Sequence, residues 1–214
     1  MDKPAIVHWV STTARVVAFT FDDGPHPVYT PQLLDIFRQA HGTATFFMIG
    51  QQIDAHPATA AAVHAAGHEL GNHTLTHPKL TQLAADAVHA ELVQTDERIQ
   101  RLTGARARTF RPPFLDVNDE ILALAAALGY RSIGAVNLAT RDWEQPGVEH
   151  IVAKTRAVVG NGSILVFHDG FGDRSQSVEA VRLLVAELAA QAYRFVTVSA
   201  LLALANPRAD EQAK

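Results

Sequence analysis

The sequence predicts an α/β fold of about seven parallel strands, closed or nearly closed into a barrel, with helices outside. Short, apolar, β-branched runs alternate with longer segments of helical spacing about seven times along the 214 residues. The chain is 48% hydrophobic, enough to cover both faces of such a sheet. Strongly polar residues gather where the apolar runs end. An open parallel sheet accommodates the same alternation, but seven units in about 200 residues fit a barrel more easily.

The elements follow in order. "RVVAFTF" (Arg15 to Phe21) reads as a buried strand. "YTPQLLDIFRQA" follows as a helix, with Thr30 as its cap and Pro31 at the first helical position. "TATFFMIG" (Thr43 to Gly50) is a strand ending in glycine, and "HPATAAAVHAAG" (His56 to Gly67) a helix opened by Pro57 and stopped by Gly67. A short strand, "HELGNH", precedes a long helical pattern from Leu80 to Leu102. "RTFRPPF" (Arg108 to Phe114) is extended, because Pro112 and Pro113 fix their own φ and bias the residue before each. "NDEILALAAALG" (Asn118 to Gly129) is a helix with an Asn cap and a glycine stop. "RSIGAVNL" is strand-like, "GVEHIVAKTRAVV" helical, "GSILVFHD" a strand and "SVEAVRLLVAELAAQ" helical; "YRFVTVSALLALA" supplies a last strand and a short helix. There is no interior linker, low-complexity segment or fixed-period repeat, so residues 1–214 are expected to form a single domain.

Composition narrows the function. A formal net charge of -4 leaves no basic footprint for nucleic acid. The longest apolar stretches, such as "ILALAAALGY" (Ile121 to Tyr130), are about half of the roughly 20 residues that a membrane span needs. "MDKPAIVHWV" lacks the basic and apolar regions of a signal peptide. The absence of cysteine excludes disulfides, thiolate metal sites and a cysteine nucleophile. A monomer is expected.

In parallel α/β folds, active sites lie at the C-terminal ends of strands. The first strand ends in Asp22 and Asp23, and the third in Asn72 and His73, with His77 four residues on. The extended fourth segment carries Arg111; the fifth ends near Asp142 and Trp143, the sixth in His168 and Asp169. These residues would converge on one face. Two histidines and one carboxylate make a common three-ligand metal site with open positions for water and substrate. The i, i+4 spacing of His73 and His77 places both rings on one side of a helical turn, which Pro78 stops. Adjacent Asp22 and Asp23 would repel each other unless a cation intervenes. If Asp23 binds a divalent ion, Asp22 can stay ionised beside the metal-bound water as its general base, with Arg111 holding it in place. Asp22-Asp23-Gly24-Pro25 also satisfies ordinary turn chemistry.

"TFDDG" (Thr20 to Gly24), "HTLTH" (His73 to His77), "RPPF" (Arg111 to Phe114), "RDW" (Arg141 to Trp143) and "VFHD" (Val166 to Asp169) occur in the order seen in polysaccharide deacetylases. The chain resembles that family, also called the NodB-homology or fourth carbohydrate esterase family, from about Val16 to Leu202. The resemblance implies a distorted, partly closed (β/α) barrel and metal-dependent removal of acetyl groups from sugars. It makes Asp22 the catalytic base, Asp23, His73 and His77 the metal ligands, usually of zinc with cobalt as a substitute, and Arg111 the residue that positions the base. His168 is similar to the family's catalytic acid, and Asp142 to its partner. Trp143 and Val166 resemble walls of the pocket for the acetyl methyl group, and the Phe114 backbone N–H an oxyanion donor. Three positions depart from the family pattern: Phe114 stands for a tyrosine, Leu115 for a glycine and Ala139 for the first aspartate of Asp-x-x-Asp-Trp.

The resemblance points to N-acetylglucosamine polymers such as chitin oligomers or peptidoglycan as substrate, and to a secreted or cell-envelope location, with a cytoplasmic one also compatible with this sequence. An acetyl ester hydrolase acting on acetylated xylan would need the same residues. A non-catalytic carbohydrate-binding relative would have lost Asp22, a metal ligand or His168, and none is lost. His26 can line the cleft, whereas His8, His41, His56, His64, His68, His89 and His150 read as ordinary residues of a terminus, loops and helices. "GFGDRSQSVEAV" (Gly170 to Val181) reads as a capped helix start, or as a mobile rim with Arg174 facing substrate. Trp143 is the evident sugar-stacking surface.

Overall fold

A computed structural model describes residues 3–205. Seven strands build one parallel sheet: β1 (Val16–Asp22), β2 (Thr45–Met48), β3 (Glu69–Asn72), β4 (Thr109–Phe110), β5 (Arg131–Ser132), β6 (Ile164–His168) and β7 (Arg194–Phe195). Their order is β5-β4-β3-β2-β1-β6, with β7 paired to the start of β1. Helices α1 (Tyr29–Gln39), α2 (Gly50–Ala55), α3 (Pro57–Ala65), α4 (Ala85–Thr103), α5 (Asp119–Ala127), α6 (Val148–Arg156), α7 (Ser175–Ala190) and α8 (Val198–Leu202) complete the fold. The result is the distorted, partly closed (β/α) barrel that the sequence predicts.

Two departures from a regular barrel matter. At the bottom, β1 and β2 splay and β7 wedges between them: Arg194 N–H donates to Arg15, Val196 N–H to Val17, and Thr43 N–H to Phe195. Between β5 and β6 the sheet has a seam. Val136 N–H reaches the Ile164 carbonyl at 2.9 Å, and the Asn137 amide accepts from Val166 N–H at 2.7 Å and donates to the Val166 carbonyl at 3.0 Å. The segment around Val7 to Val10 bonds to both flanks, through Ser132, Gly134 and Gly162.

The two-residue period of a strand decides what faces where. Along β1, Val17, Phe19 and Phe21 belong to the large outer core, where Phe19 packs against the rings of Phe37, Phe167 and Phe195. Burying each such ring is worth about 1.5–3 kcal/mol. The alternate residues Val16 and Ala18 belong to a second core with Phe47, Ile133 and Ile164. The next two on that face are Thr20 and Asp22, so the same register that buries the phenylalanines aims the polar chain end into the barrel.

Several boundaries differ from expectation. Thr30 is not the cap of α1, which starts at Tyr29; its hydroxyl turns inward and donates to Asp169, while accepting from His26 N–H. The pattern from Leu80 splits into a 3-10 turn (Leu80–Gln82) and α4, and α2 appears where only a strand end was expected. β5 ends at Ser132 because the backbone beyond it pairs elsewhere: Gly134 with Val7, and Val136 with Ile164.

Candidate active site

Asp23 follows β1 directly and adopts φ 75, the left-handed region. Two glycines permit this turn. A Cβ on Gly170 would lie 2.0 Å from the Asp23 carbonyl oxygen, and one on Gly24 would lie 2.5 Å from an Asp169 carboxyl oxygen. Asp169 is fully buried beneath the turn; burial and the nearby aspartate charges raise its pKa to about 7, against the hydrogen bond from Thr30.

His73 follows β3. Its Nδ1 lies 2.6 Å from the Arg111 carbonyl, an acceptor only, so Nδ1 carries the proton and the Nε2 lone pair faces Asp23 Oδ1 at 3.4 Å. His77 Nε2 lies 3.1 Å from the same oxygen. One ligand atom each from Asp23, His73 and His77 lie within 4.8 Å of one another. Asp23 Oδ1 is buried without a well-formed hydrogen bond. Burial would raise the Asp23 pKa, but hydrogen bonding and charge from the imidazoles, where a proton rather than a cation lies between them and the carboxylate, outweigh it and hold the carboxyl well below the usual range. Electron pairs from three side chains converging on one buried point fit a divalent cation.

The expected helical turn between the histidines is not formed. Thr74 and His77 have φ of 68 and 61, and the loop is held from outside. Asn72 Oδ1 accepts from Thr74 N–H at 2.9 Å, and its Nδ2 donates to the Leu92 carbonyl and the Tyr130 hydroxyl. Glu91 of α4 accepts from the N–H groups of Leu75 and Thr76, both at 2.8 Å. The rings meet because left-handed residues fold the loop back, with centroids 5.0 Å apart.

Asp22 ends β1 beside the metal-type cluster. Arg111 Nη1 donates to Asp22 Oδ1 at 2.7 Å and to Thr20 Oγ1 at 2.6 Å; Nη2 donates to the Gly134 carbonyl at 2.7 Å. The guanidinium also lies 4.3 Å from the centroid of the Phe47 ring. Burial lowers the Arg111 pKa and the Asp22 charge opposes the shift. Arginine keeps its proton even so.

On the neighbouring strand, His168 ends β6, paired in register with Asp22. Asp142 sits in a 3-10 turn (Asp142–Glu144) after left-handed Arg141. Its Oδ1 lies 2.8 Å from His168 Nδ1, and its Oδ2 accepts from His168 N–H at 2.9 Å and from Ser177 Oγ at 2.7 Å. Burial would lower the His168 pKa; the Asp142 charge and hydrogen bond overcome it and push it up to about 9. The Trp143 ring stands edge-on to His168, with centroids 5.1 Å apart.

A cavity of about 560 Å³ is lined by Asp22, Asp23, His73, His77, Arg111, Phe114, Trp143, Val166 and His168, with Asp142 behind His168. Phe114 is left-handed, and its ring lies 4.7 Å from that of His77. The hydrogen bonds of its turn run from Leu115 N–H to Pro112 and from Asp116 N–H to Pro113; the Phe114 N–H is not among them. His26 does not line the cavity: its Nδ1 accepts from Val28 and Tyr29 N–H at the start of α1. Arg174 is buried, donating to the Gly170 and Trp143 carbonyls, and the loop before α7 is tied down. Trp143 is not alone at the mouth, because Phe114 and Phe171 are also exposed there.

The sequence model of the family described as "Polysaccharide deacetylase" matches residues 10–133. The chain belongs to that family. Among its deacetylase relatives, it is 38% identical over 204 residues to a peptidoglycan-N-acetylglucosamine deacetylase of Bacillus cereus, covering 94% of this chain and 95% of that one. It is 34% identical over 186 residues to a chitooligosaccharide deacetylase of Bradyrhizobium, covering 81% and 84%. Its fold is similar, at TM-score 0.87 and 25% identity, to that of a family pseudoenzyme from Bacillus anthracis, covering 95% of this chain and 70% of that one. A pseudoenzyme of the family carries this fold, so the side chains of the cavity, not the fold, carry the argument for activity.

Proposed function

We propose that the chain is a metal-dependent hydrolase that removes N-acetyl groups from saccharides containing N-acetylglucosamine. The observation that carries this reading is the presence of two proton-handling units beside one cation-type cluster: Asp22 held by Arg111, and His168 held by Asp142. N-acetylglucosamine is also common to the two curated relatives' named substrates or substrate class.

Asp23, His73 and His77 would hold the ion, zinc or cobalt. Bound there, the ion supplies a polarised acetamide carbonyl and a more acidic water. Asp22, oriented by Arg111, takes a proton from the attacking water. The Phe114 N–H offers a donor to the oxygen that gains charge as the tetrahedral centre forms. His168, protonated at neutral pH and held at Nδ1 by Asp142, gives its Nε2 proton to the leaving nitrogen. The carbon–nitrogen bond breaks, and acetate and a free amine leave. Trp143 and Val166 flank the acetyl group. Protonated His168 meets the need of an amide, since an amine leaves poorly without a proton; an ester's alkoxide needs one less.

The test is acetate release from N-acetylglucosamine oligomers and from acetylated xylan, by the zinc-loaded protein. Faster release from the oligomers is expected. Release from xylan alone would move the assignment to an acetyl ester hydrolase, and release from neither would place the chain with the non-catalytic relatives.

A further inference from the structure

Phe171 is in a costly place. It adopts φ 54, a backbone region that a bulky L-residue rarely enters, between Gly170 and Gly172. Burial does not offset this, since its exposure is 47%. The loop is nevertheless locked: Tyr29 Oη donates to Asp173 Oδ1 at 2.9 Å, Gln145 Nε2 to the Asp173 carbonyl at 2.7 Å, and Arg174 Nε to the Gly170 carbonyl at 2.7 Å. The phenyl ring is thereby held at the cavity mouth. It arrives from the loop after β6, yet it stands 6.0 Å from the ring of His77, which follows β3. Strain maintained at an exposed site by a rigid surround points to a ligand.

We infer that Phe171 is a specificity-determining residue, whose ring receives the apolar face of a neutral, β-linked pyranose chain at the cavity mouth. The inference rests on the deacetylase reading and names what the mouth adds to it. The polar groups on this side are engaged with the protein itself: Asp173 accepts from Tyr29 and Ser175, and Arg174, which lines the cavity, donates to the Gly170 and Trp143 carbonyls. The ring therefore offers hydrocarbon rather than charge. A pyranose with equatorial hydroxyls presents C–H groups on its face, and such a face packs against an aromatic ring. Phe114, also left-handed, stands on His77 at 4.7 Å, so the two rings flank the way to the cation-type cluster.

The experiment compares Phe171→Gly, Phe171→Asn and Phe171→Trp with the parent chain, all zinc-loaded. Glycine and asparagine suit the left-handed backbone and remove the ring; tryptophan restores an aromatic face. For Gly and Asn, the melting temperature is expected to hold or rise by about 1–3 °C. Zinc affinity should stay within about twofold, while KM for N-acetylglucosamine tetramer rises about 3- to 10-fold with kcat little changed. Trp should recover most of the KM. Loss of melting temperature in Gly and Asn, weaker zinc binding at unchanged KM, or an unchanged KM would each overturn the inference. Calorimetric binding of the tetramer to an Asp22→Asn protein, with and without Phe171→Gly, separates the two claims. If the parent releases no acetate, the deacetylase reading fails; weaker tetramer binding on loss of the ring would still support Phe171, and equal or absent binding would overturn it.

Discussion

One carboxylate, that of Asp142, holds both the backbone and the side chain of His168: Oδ2 accepts the N–H at 2.9 Å while Oδ1 faces Nδ1 at 2.8 Å. The imidazole is therefore fixed in orientation as well as in charge, with Nε2 left free towards the cavity. His168→Ala should cut N-deacetylation by about 10²–10⁴-fold, as loss of a general acid does, and hydrolysis of an aryl acetate much less. Asp142→Asn should show the same selectivity in weaker form. Equal losses on both substrates would remove His168 from the acid role.

The pH dependence follows from the same pair. The folded pKa of His168 is raised from 6.5 to about 9, so the proton-donating form is present at neutral pH and lost as pH rises through the folded value. Amide hydrolysis should fall on that alkaline limb. Part of the shift comes from Asp22 and Asp23, whose charge a bound cation offsets, so the limb in the zinc-loaded protein should lie below that value. By the same sign, the pair's contribution to stability is complete below the unfolded pKa and disappears as pH rises through the folded one. Asp142→Asn should move the limb further towards neutral. A rate profile for kcat/KM on an oligomer, and melting temperature against pH, check both.

Within the aspartate pair the expected losses differ. Asp23→Asn should weaken zinc binding, while Asp22→Asn keeps the ion and loses most turnover. A chelator should abolish activity, and zinc or cobalt should restore it. Equal loss of zinc in both variants, or full activity after verified metal removal, would contradict the assignment.

Arg111→Met should be strongly destabilising. It strands a buried Asp22 charge and removes the donor to Thr20, and breaking a buried pair costs about 3–5 kcal/mol. Arg111→Lys should recover little, because one ammonium cannot reach Asp22, Thr20 and the Gly134 carbonyl in the same fork geometry. Denaturant titration gives the magnitude.

Gly170→Ala should damage the cation cluster more than the fold. Its methyl group would meet the Asp23 carbonyl at 2.0 Å and push that residue off its left-handed turn. Zinc affinity should drop at least tenfold while most of the melting temperature is retained; unchanged affinity would show that the turn can yield.

The sequence was most legible where the signal is local. β1 and β6 are apolar β-branched runs, and their polar ends could be placed on one face because parallel strands end together there. Local signals also misled. Thr30 beside Pro31 looks like a helix cap, yet its hydroxyl is claimed by Asp169, 139 residues away. The His73–His77 spacing looks helical, yet the loop is folded by Asn72 and by Glu91 from a distant helix. Ser177 beneath Asp142 and the ring of Phe171 carry no motif, because their roles arise only when α7 and the loop before it dock on the barrel.

The seam between β5 and β6 has a mechanical meaning. On one flank, the Ile133 and Gly134 carbonyls hold Arg111 and, through it, Asp22; on the other, Val166 leads directly to His168. The Asn137 amide works there as a clasp, substituting for two rungs that main chain supplies elsewhere in the ring. The β1–β6 ladder gauges Asp22 against His168, whereas the guanidinium that orients Asp22 is gauged against β6 by the Val136–Ile164 bond and this clasp. A looser clasp would leave that ladder intact and let Arg111 drift from the carboxylate it orients.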